Sequence, residues 1–374
     1  MLGRFPVRVR GMTKALANAA LVVFSTFLVL GVIEIVFRAL SIANPELDPD
    51  AIWRTQGTFR IQDEYQPIVI GDTRFREPGL RPEILNAGTR RVLFLGDSFT
   101  WGAGIPHSRD RFSDLIESRL NQELGGNESR IEIHILNAGI GGSRPEDWKQ
   151  YFFILEPLYE PDFVFAIFFL RDGTSLSTSL KFNRDIIEPI EERYRGMPLR
   201  DYSALLRFFY NRLAWREYTT NFKQRMVSSY VGTSVEQEMW IRQRRALLDL
   251  AMHCRRLGTP FHLVIFPMLY NLDDYEFFEV EELIETFAAD HDIPVFSLTP
   301  GFLGEADHTL WVASNDQHPN EKGHRIAAET LLPYVRGVVL EGRRAGGGVG
   351  LQLRNRSVDN GGDDRDAAES VPVR

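Results

Sequence analysis

Between Ala15 and Ile33 the chain carries no charged residue, and after Glu34 the apolar run continues through Ile35-Val36-Phe37. That length matches the ~20 residues an α-helix needs to cross the hydrocarbon core of a bilayer. Arg4, Arg8, Arg10 and Lys14 precede it. The positive-inside rule therefore sets residues 1–14 in the cytoplasm, 15–40 in the membrane as an anchor, and the rest beyond it. Glu34 falls near the far end of the span, within reach of headgroups or water. The rival reading is a cleaved signal peptide ending at Ser41-Ile42-Ala43, whose apolar core would be ~7–15 residues, shorter than this one. An uncleaved anchor is thus expected ahead of a signal peptide or a buried soluble helix. Either membrane reading puts the bulk of the chain outside the cytoplasm, most simply in a periplasm.

The chain can bury a sizeable core: 44% of the 374 residues are hydrophobic and 25% charged, which excludes a wholly disordered, collagen-like or coiled-coil protein. Asp plus Glu number 51 against 43 Lys plus Arg, and the resulting charge of -8 argues against nucleic acid as the main partner. Cys254 is the single cysteine, so an intramolecular disulfide and any zinc site built on two cysteines are ruled out. It recurs at helical spacing with Leu247 and Ala251, as an inert packing residue would. Residues 41–89, rich in Pro, Gly, Asp and Arg, read as a connector packing on the domain. Residues 341–374 hold few large apolar side chains and are expected to stay disordered.

Over 90–340 short apolar runs alternate with helical periodicity. Val92–Leu95, Ile131–Leu136, Phe163–Leu170, Phe261–Phe266 and Pro294–Phe296 read as strands. Helices are expected over Arg111–Leu124, after Pro145, over about Val235–Leu257 ahead of Gly258, and from near Pro319. Such alternation implies a doubly wound α/β domain with a parallel sheet covered on both faces. One connection breaks the short-loop norm: residues 173–234 form an insertion of roughly 60 residues, far above the usual length. Its Tyr202, Phe208, Phe209, Tyr210, Trp215 and Tyr218 are mixed with Arg207, Arg212 and Arg216. It reads either as a helical insertion packing its own aromatics or as a lid or membrane-facing surface over the site.

In an open parallel sheet, ligands bind beyond the carboxyl ends of the strands. The first strand ends Gly96-Asp97-Ser98-Phe99-Thr100-Trp101-Gly102. Ser98 there is either an N-cap or a hydroxyl aimed into the crevice at a helix N-terminus. The second ends Asn137-Ala138-Gly139-Ile140-Gly141-Gly142-Ser143; a dinucleotide fingerprint fails because Arg144 stands where its last glycine should be. A tight turn or an exposed N–H donor remains. Late in the chain His318 has an acid, Asp316, two residues before it and a helix start behind it. A Ser/His/Asp set is the economical explanation.

With these residues in view, the chain resembles the SGNH, or GDSL-type, esterase and lipase superfamily. Gly96-Asp97-Ser98-Phe99-Thr100 is similar to its first block, Asn137–Gly142 to its second, and Asp316-Gln317-His318-Pro319-Asn320 to its last, over about Arg90 to Val335. The resemblance implies a flavodoxin-like three-layer sandwich and a serine hydrolase that uses no cofactor. It implies Ser98 as nucleophile and His318 as base. The oxyanion would be held by the backbone of Ser98 and Gly142. Two departures stand out. The third block, G-x-N-D in the family, aligns with Phe169-Leu170-Arg171-Asp172, so Arg171 takes the Asn position. Its guanidinium either donates to the oxyanion or is tied to a carboxylate. The last block is usually D-x-x-H, but Asn315 stands three residues before His318, leaving Asp316 as the expected acid. Without it, Ser98 and His318 would act as a dyad oriented by a backbone carbonyl. The expected reaction is hydrolysis of an extracytoplasmic ester carried by an envelope polysaccharide, a lipid or a small molecule. The alternatives are an O-acyltransferase or a catalytically impaired member acting in envelope polysaccharide modification or assembly.

Overall fold

The computed structural model describes residues 7–40, 61–63, 68–70, 72–77, 88–125, 131–177, 187–313 and 316–341. The candidate cleavage site at Ser41-Ile42-Ala43, most of the connector and the tail beyond Glu341 lie outside the described residues, as does Asn315.

Helix α1 (Val7–Ala39) opens the chain. Its segment Leu16–Ala39, 24 residues with a mean hydropathy of 2.6, is long and apolar enough to cross a membrane. Most of its apolar side chains, Phe24 and Phe27 among them, are exposed, while Ile33 and Phe37 are half-buried. A short antiparallel hairpin comes next, β1 (Ile68–Ile70) with β2 (Thr73–Phe75). It delivers Phe75, Arg76 and Glu77 to the body as buried residues.

The body then alternates as its sequence predicts. Strand β3 (Thr89–Gly96) leads through the one-turn helix α2 (Ser98–Trp101) to α3 (Phe112–Gly125). Strand β4 (Glu132–Gly139), α4 (Pro145–Tyr159) and β5 (Phe163–Phe169) come next. The insertion supplies α5 (Glu188–Arg195) and the long α6 (Ala204–Val231). After it come α7 (Glu238–Leu257), β6 (Phe261–Phe266), α8 (Phe278–Asp290), β7 (Val295–Ser297) and the short α9 (Thr299–Phe302). A hairpin of β8 (Trp311–Ala313) and β9 (Asp316–Pro319) precedes α10 (Glu321–Glu341). The helix expected from Val235 starts at Glu238, and the one expected near Pro319 starts at Glu321. In the second case strand β9 ends at Pro319, just before the helix.

The five-stranded sheet has the order β4-β3-β5-β6-β7, and every neighbouring pair is parallel. That is the flavodoxin-like order, with its switch point at β3, where the connections diverge to opposite sides. The sheet is covered on both faces, so β5 and β6 are almost wholly apolar and buried. Cys254 is buried as a packing residue of α7.

One buried polar residue in this core carries a pH prediction. His262 of β6 stacks on Phe165 at 4.9 Å and shares a 2.8 Å hydrogen bond with the Tyr334 hydroxyl. Burial pushes its imidazole down from 6.5 to about 4. The unfolded chain therefore binds more protons below 6.5, and the stability this residue contributes is complete above that value and lost as pH falls toward 4. Urea unfolding in detergent at pH 7 and pH 5 should show the wild type losing about 2 kcal/mol that His262→Gln does not lose. Equal pH dependence in the two proteins would show that His262 does not couple folding to acid.

Candidate active site

Paired glycines end the two strands that build the site. Gly96 and Gly139 sit opposite one another in the β3–β4 register. A Cβ on Gly139 would lie 2.3 Å from the Trp101 nitrogen and 2.7 Å from the Thr100 carbonyl carbon, so α2 can rest on the strand ends only because that side chain is missing. Asn137 fixes the contact: its Nδ2 donates to the Thr100 carbonyl and to the Ser113 hydroxyl, both at 2.7 Å, while its Oδ1 accepts from Gly139 N–H at 3.0 Å.

Ser98 is the first residue of α2. Its neighbour Asp97 is the N-cap, accepting from Phe99 N–H at 2.9 Å, which leaves the serine hydroxyl free of the capping role. Gly102, with φ +80°, closes the turn and returns its N–H to the Ser98 carbonyl at 3.1 Å.

The imidazole arrives from the other end of the chain. His318 lies on β9, and its Nε2 is 2.9 Å from Ser98 Oγ. Its Nδ1 is 2.5 Å from Asp316 Oδ1, which also accepts His318 N–H at 3.2 Å. On a strand, residues two apart share a face. The two-residue spacing of acid and histidine therefore points both side chains into the crevice and turns Gln317 the other way. With Nδ1–H facing the carboxylate, Nε2 carries the lone pair and accepts the serine proton. Asp316 is buried, which raises its pKa, yet the hydrogen bonds and charge of His318 outweigh burial and hold it below the usual value.

Two further turns border Ser98. Gly142, φ +78°, occupies the left-handed corner of the turn after β4, and a Cβ on Gly141 would stand 4.0 Å from Ser98 Cβ. The turn is pinned by Ser143, which donates from N–H to the Ile140 carbonyl at 3.1 Å and from its hydroxyl to the Gly96 carbonyl at 3.0 Å. After β5, Arg171 sits in a 3-10 turn, Leu170–Gly173. The Tyr230 hydroxyl of α6 donates to the Leu170 carbonyl and so braces this turn. Arg171 Nη2 donates to the Leu176 carbonyl at 3.5 Å, and among the described residues it makes no ion pair with a carboxylate. Its charge still acts on Asp97 and Asp172, both buried. Burial pushes both acids up, Asp172 the more strongly, and Arg171 opposes the rise.

Ser98, His318 and Asp316 are thus brought together, and Gly142 and Arg171 lie on flanking turns. Asp97 lies within the first block, which gives it no role of its own, and its Oδ2 accepts from Ser98 Oγ at 3.3 Å. Its place before a helix start is the local signal for its capping role. Among the described residues no group of three or more His, Cys, Asp or Glu is arranged to hold a metal ion.

The family model of GDSL-like lipases and acylhydrolases matches residues 92–331, which spans both Ser98 and His318. The chain belongs to the GDSL-like lipase/acylhydrolase family. This GDSL-like protein is a serine hydrolase acting on esters. Solved structures similar to it include TesA, at 14% identity over 67% of this chain and 99% of that one, with a TM-score of 0.41. A psychrotrophic esterase, EstA from Pseudoalteromonas sp., is similar at 14% identity over 66% of this chain and 97% of that one, TM-score 0.39. A catalytic mutant of an acetylxylan esterase from Geobacillus stearothermophilus is similar at 14% identity, covering 66% and 94% of the two chains, TM-score 0.39. No curated protein matches the sequence.

Proposed function

We propose that this GDSL-like hydrolase is a membrane-anchored esterase whose catalytic domain faces the extracytoplasmic side, with Ser98 as nucleophile, His318 as general base and Asp316 as the acid that orients it. The observation that carries the reading is the 2.9 Å contact between His318 Nε2 and Ser98 Oγ, completed by Asp316 at Nδ1. Nε2 takes the hydroxyl proton as Oγ bonds to the ester carbonyl carbon, and the carbonyl π electrons move to oxygen. The backbone N–H groups of Ser98 and Gly142 receive that oxyanion, together with the Arg171 guanidinium. The imidazolium then gives its proton to the leaving alkoxide, releasing the alcohol and leaving an acyl-serine. Water, deprotonated by the same imidazole, then attacks the acyl carbon; the bond to Oγ breaks, the imidazolium returns its proton to Ser98, and the free acid leaves. Arg4, Arg8, Arg10 and Lys14 before the apolar helix support the orientation. The substrate is an ester of an envelope polysaccharide, a lipid or a small molecule.

Arg171 gives the test. Asparagine at this position would restore the neutral donor of the family's third block. Arg171→Asn should keep kcat for a small aryl acetate within about threefold of wild type or raise it, whereas Arg171→Ala should lose roughly 10²-fold or more, as removal of one oxyanion donor does. Loss of all activity in a folded Arg171→Asn would assign the guanidinium instead to balancing Asp97 and Asp172.

A further inference from the structure

The insertion is joined to the apolar helix by a specific polar contact. Glu34 of α1 accepts from Ser203 Oγ at 2.8 Å, Ala204 N–H at 2.8 Å and Leu205 N–H at 3.0 Å, so its carboxylate caps the start of α6 from outside. Arg38 ties the two further, bonding Glu34 at 2.6 Å and the Tyr202 carbonyl at 2.5 Å. Phe37 packs edge-on against Phe208 with centroids 5.2 Å apart.

These contacts set the depth of α6. Counting ~20 residues from Leu16 for the hydrocarbon core ends the crossing beside Glu34 and Ile35. The start of α6 therefore lies at the headgroup level. Close to this end of α6, Tyr202, Phe209 and Leu213 are 80%, 53% and 47% exposed, large side chains left uncovered by the rest of the protein. Phe209 and Leu213, four apart, share one edge of the helix, and exposed Arg216 flanks it, as suits an anionic headgroup layer; Arg212, also exposed, stands between this edge and a cavity that it helps to line.

The adjoining face of α6 encloses a cavity of 390 Å³, within the range of small-ligand pockets. Phe208, Trp215, Tyr218 and Phe222 form one wall, with Arg212 and Thr219 adding polar groups to it, and Tyr270 and Trp311 form the other. Gln317, on the face of β9 opposite His318, closes it; Ser98 and His318 do not line it, and the cavity runs from Phe208, which touches the anchor, to the strand that carries the base.

We propose that α6 is an interfacial helix whose Phe209–Leu213 edge lies in the headgroup layer beside the anchor, and that the cavity it walls receives the acyl chain of an ester held in that leaflet. This deepens the anchored-esterase reading and rests on it. The exposed apolar edge and the direct contact between cavity wall and anchor favour a lipid ester over a polysaccharide, because a soluble polymer would need neither.

The test uses the full chain in phosphatidylcholine–phosphatidylglycerol vesicles. Leu213→Cys and Val235→Cys are each labelled with an environment-sensitive fluorophore; Cys254 is buried, and Val235, beyond the far end of α6, is 80% exposed. Nitroxide lipids should quench the label at 213 and leave that at 235 unquenched; equal quenching, or none, overturns the placement of α6. In the same vesicles Phe209→Glu/Leu213→Glu should lower hydrolysis of a bilayer-held acyl ester by about tenfold or more and keep that of a water-soluble aryl acetate within about twofold. Equal losses on both substrates, or a wild type that cleaves only the soluble ester, overturn the acyl-chain assignment. A wild type that cleaves neither ester removes the esterase reading and the acyl-chain assignment with it, while the quenching result still decides where α6 lies.

Discussion

Asp316→Asn should lower kcat/KM for a small aryl ester by about 10³- to 10⁴-fold while leaving the fold intact. The side chain is buried and asparagine has nearly its shape, so the fold is kept, but His318 N–H and Nδ1 both face the same atom of Asp316, Oδ1. What changes is the partner of Nδ1. An amide can offer a donor there, which would favour the tautomer with the proton on Nε2 and leave no lone pair for Ser98 Oγ. The imidazolium formed during attack would also lose its counter-charge. Rates over a pH series, with circular dichroism to check folding, read this directly. A loss of less than about tenfold would mean that His318 is oriented by something other than Asp316.

The second large effect is structural. Gly139→Ala places its methyl 2.3 Å and 2.7 Å from backbone atoms of Trp101 and Thr100, which cannot rotate aside as a side chain tip would. Either β4 or α2 must shift, and α2 carries Ser98. We expect a loss of about 3 kcal/mol or more in urea unfolding, at the upper end of overpacking costs, with a matching fall in hydrolysis. Gly141→Ala, whose Cβ would meet Ser98 Cβ at 4.0 Å, is the control and should be much milder. Comparable stability of the two variants would mean that the close approach of the strand end to α2 does not hold the site together.

Much of the architecture is legible in the sequence because the sheet is parallel and buried. Val92–Leu95, Phe163–Leu170 and Phe261–Phe266 have to be apolar on both faces, and runs of that kind announce themselves. The convergence of Ser98 and His318 arises from the same topology, since each ends up beyond the carboxyl end of a strand or on the hairpin beside it. Contacts distant in sequence decide the points that local pattern leaves open. Whether Ser98 caps α2 depends on Asp97 taking that role, through its hydrogen bond from Phe99 N–H. The unusual spacing of Asp316 and His318 is explained only once both lie on β9, a short strand paired with Trp311–Ala313. The insertion offers aromatic residues without a periodicity that names their partners. Its docking depends on Glu34, 169 residues before Ser203, and no local signal links the two.

The most direct measurement of the central claim is covalent. The detergent-solubilised full chain is treated with a fluorophosphonate, and the modified peptide is identified by mass spectrometry. One label per chain on Ser98, absent from Ser98→Ala and slowed in Asp316→Asn, is the predicted result. A folded protein that takes no label over hours, or takes it at another residue, would contradict the proposed role of Ser98 and His318.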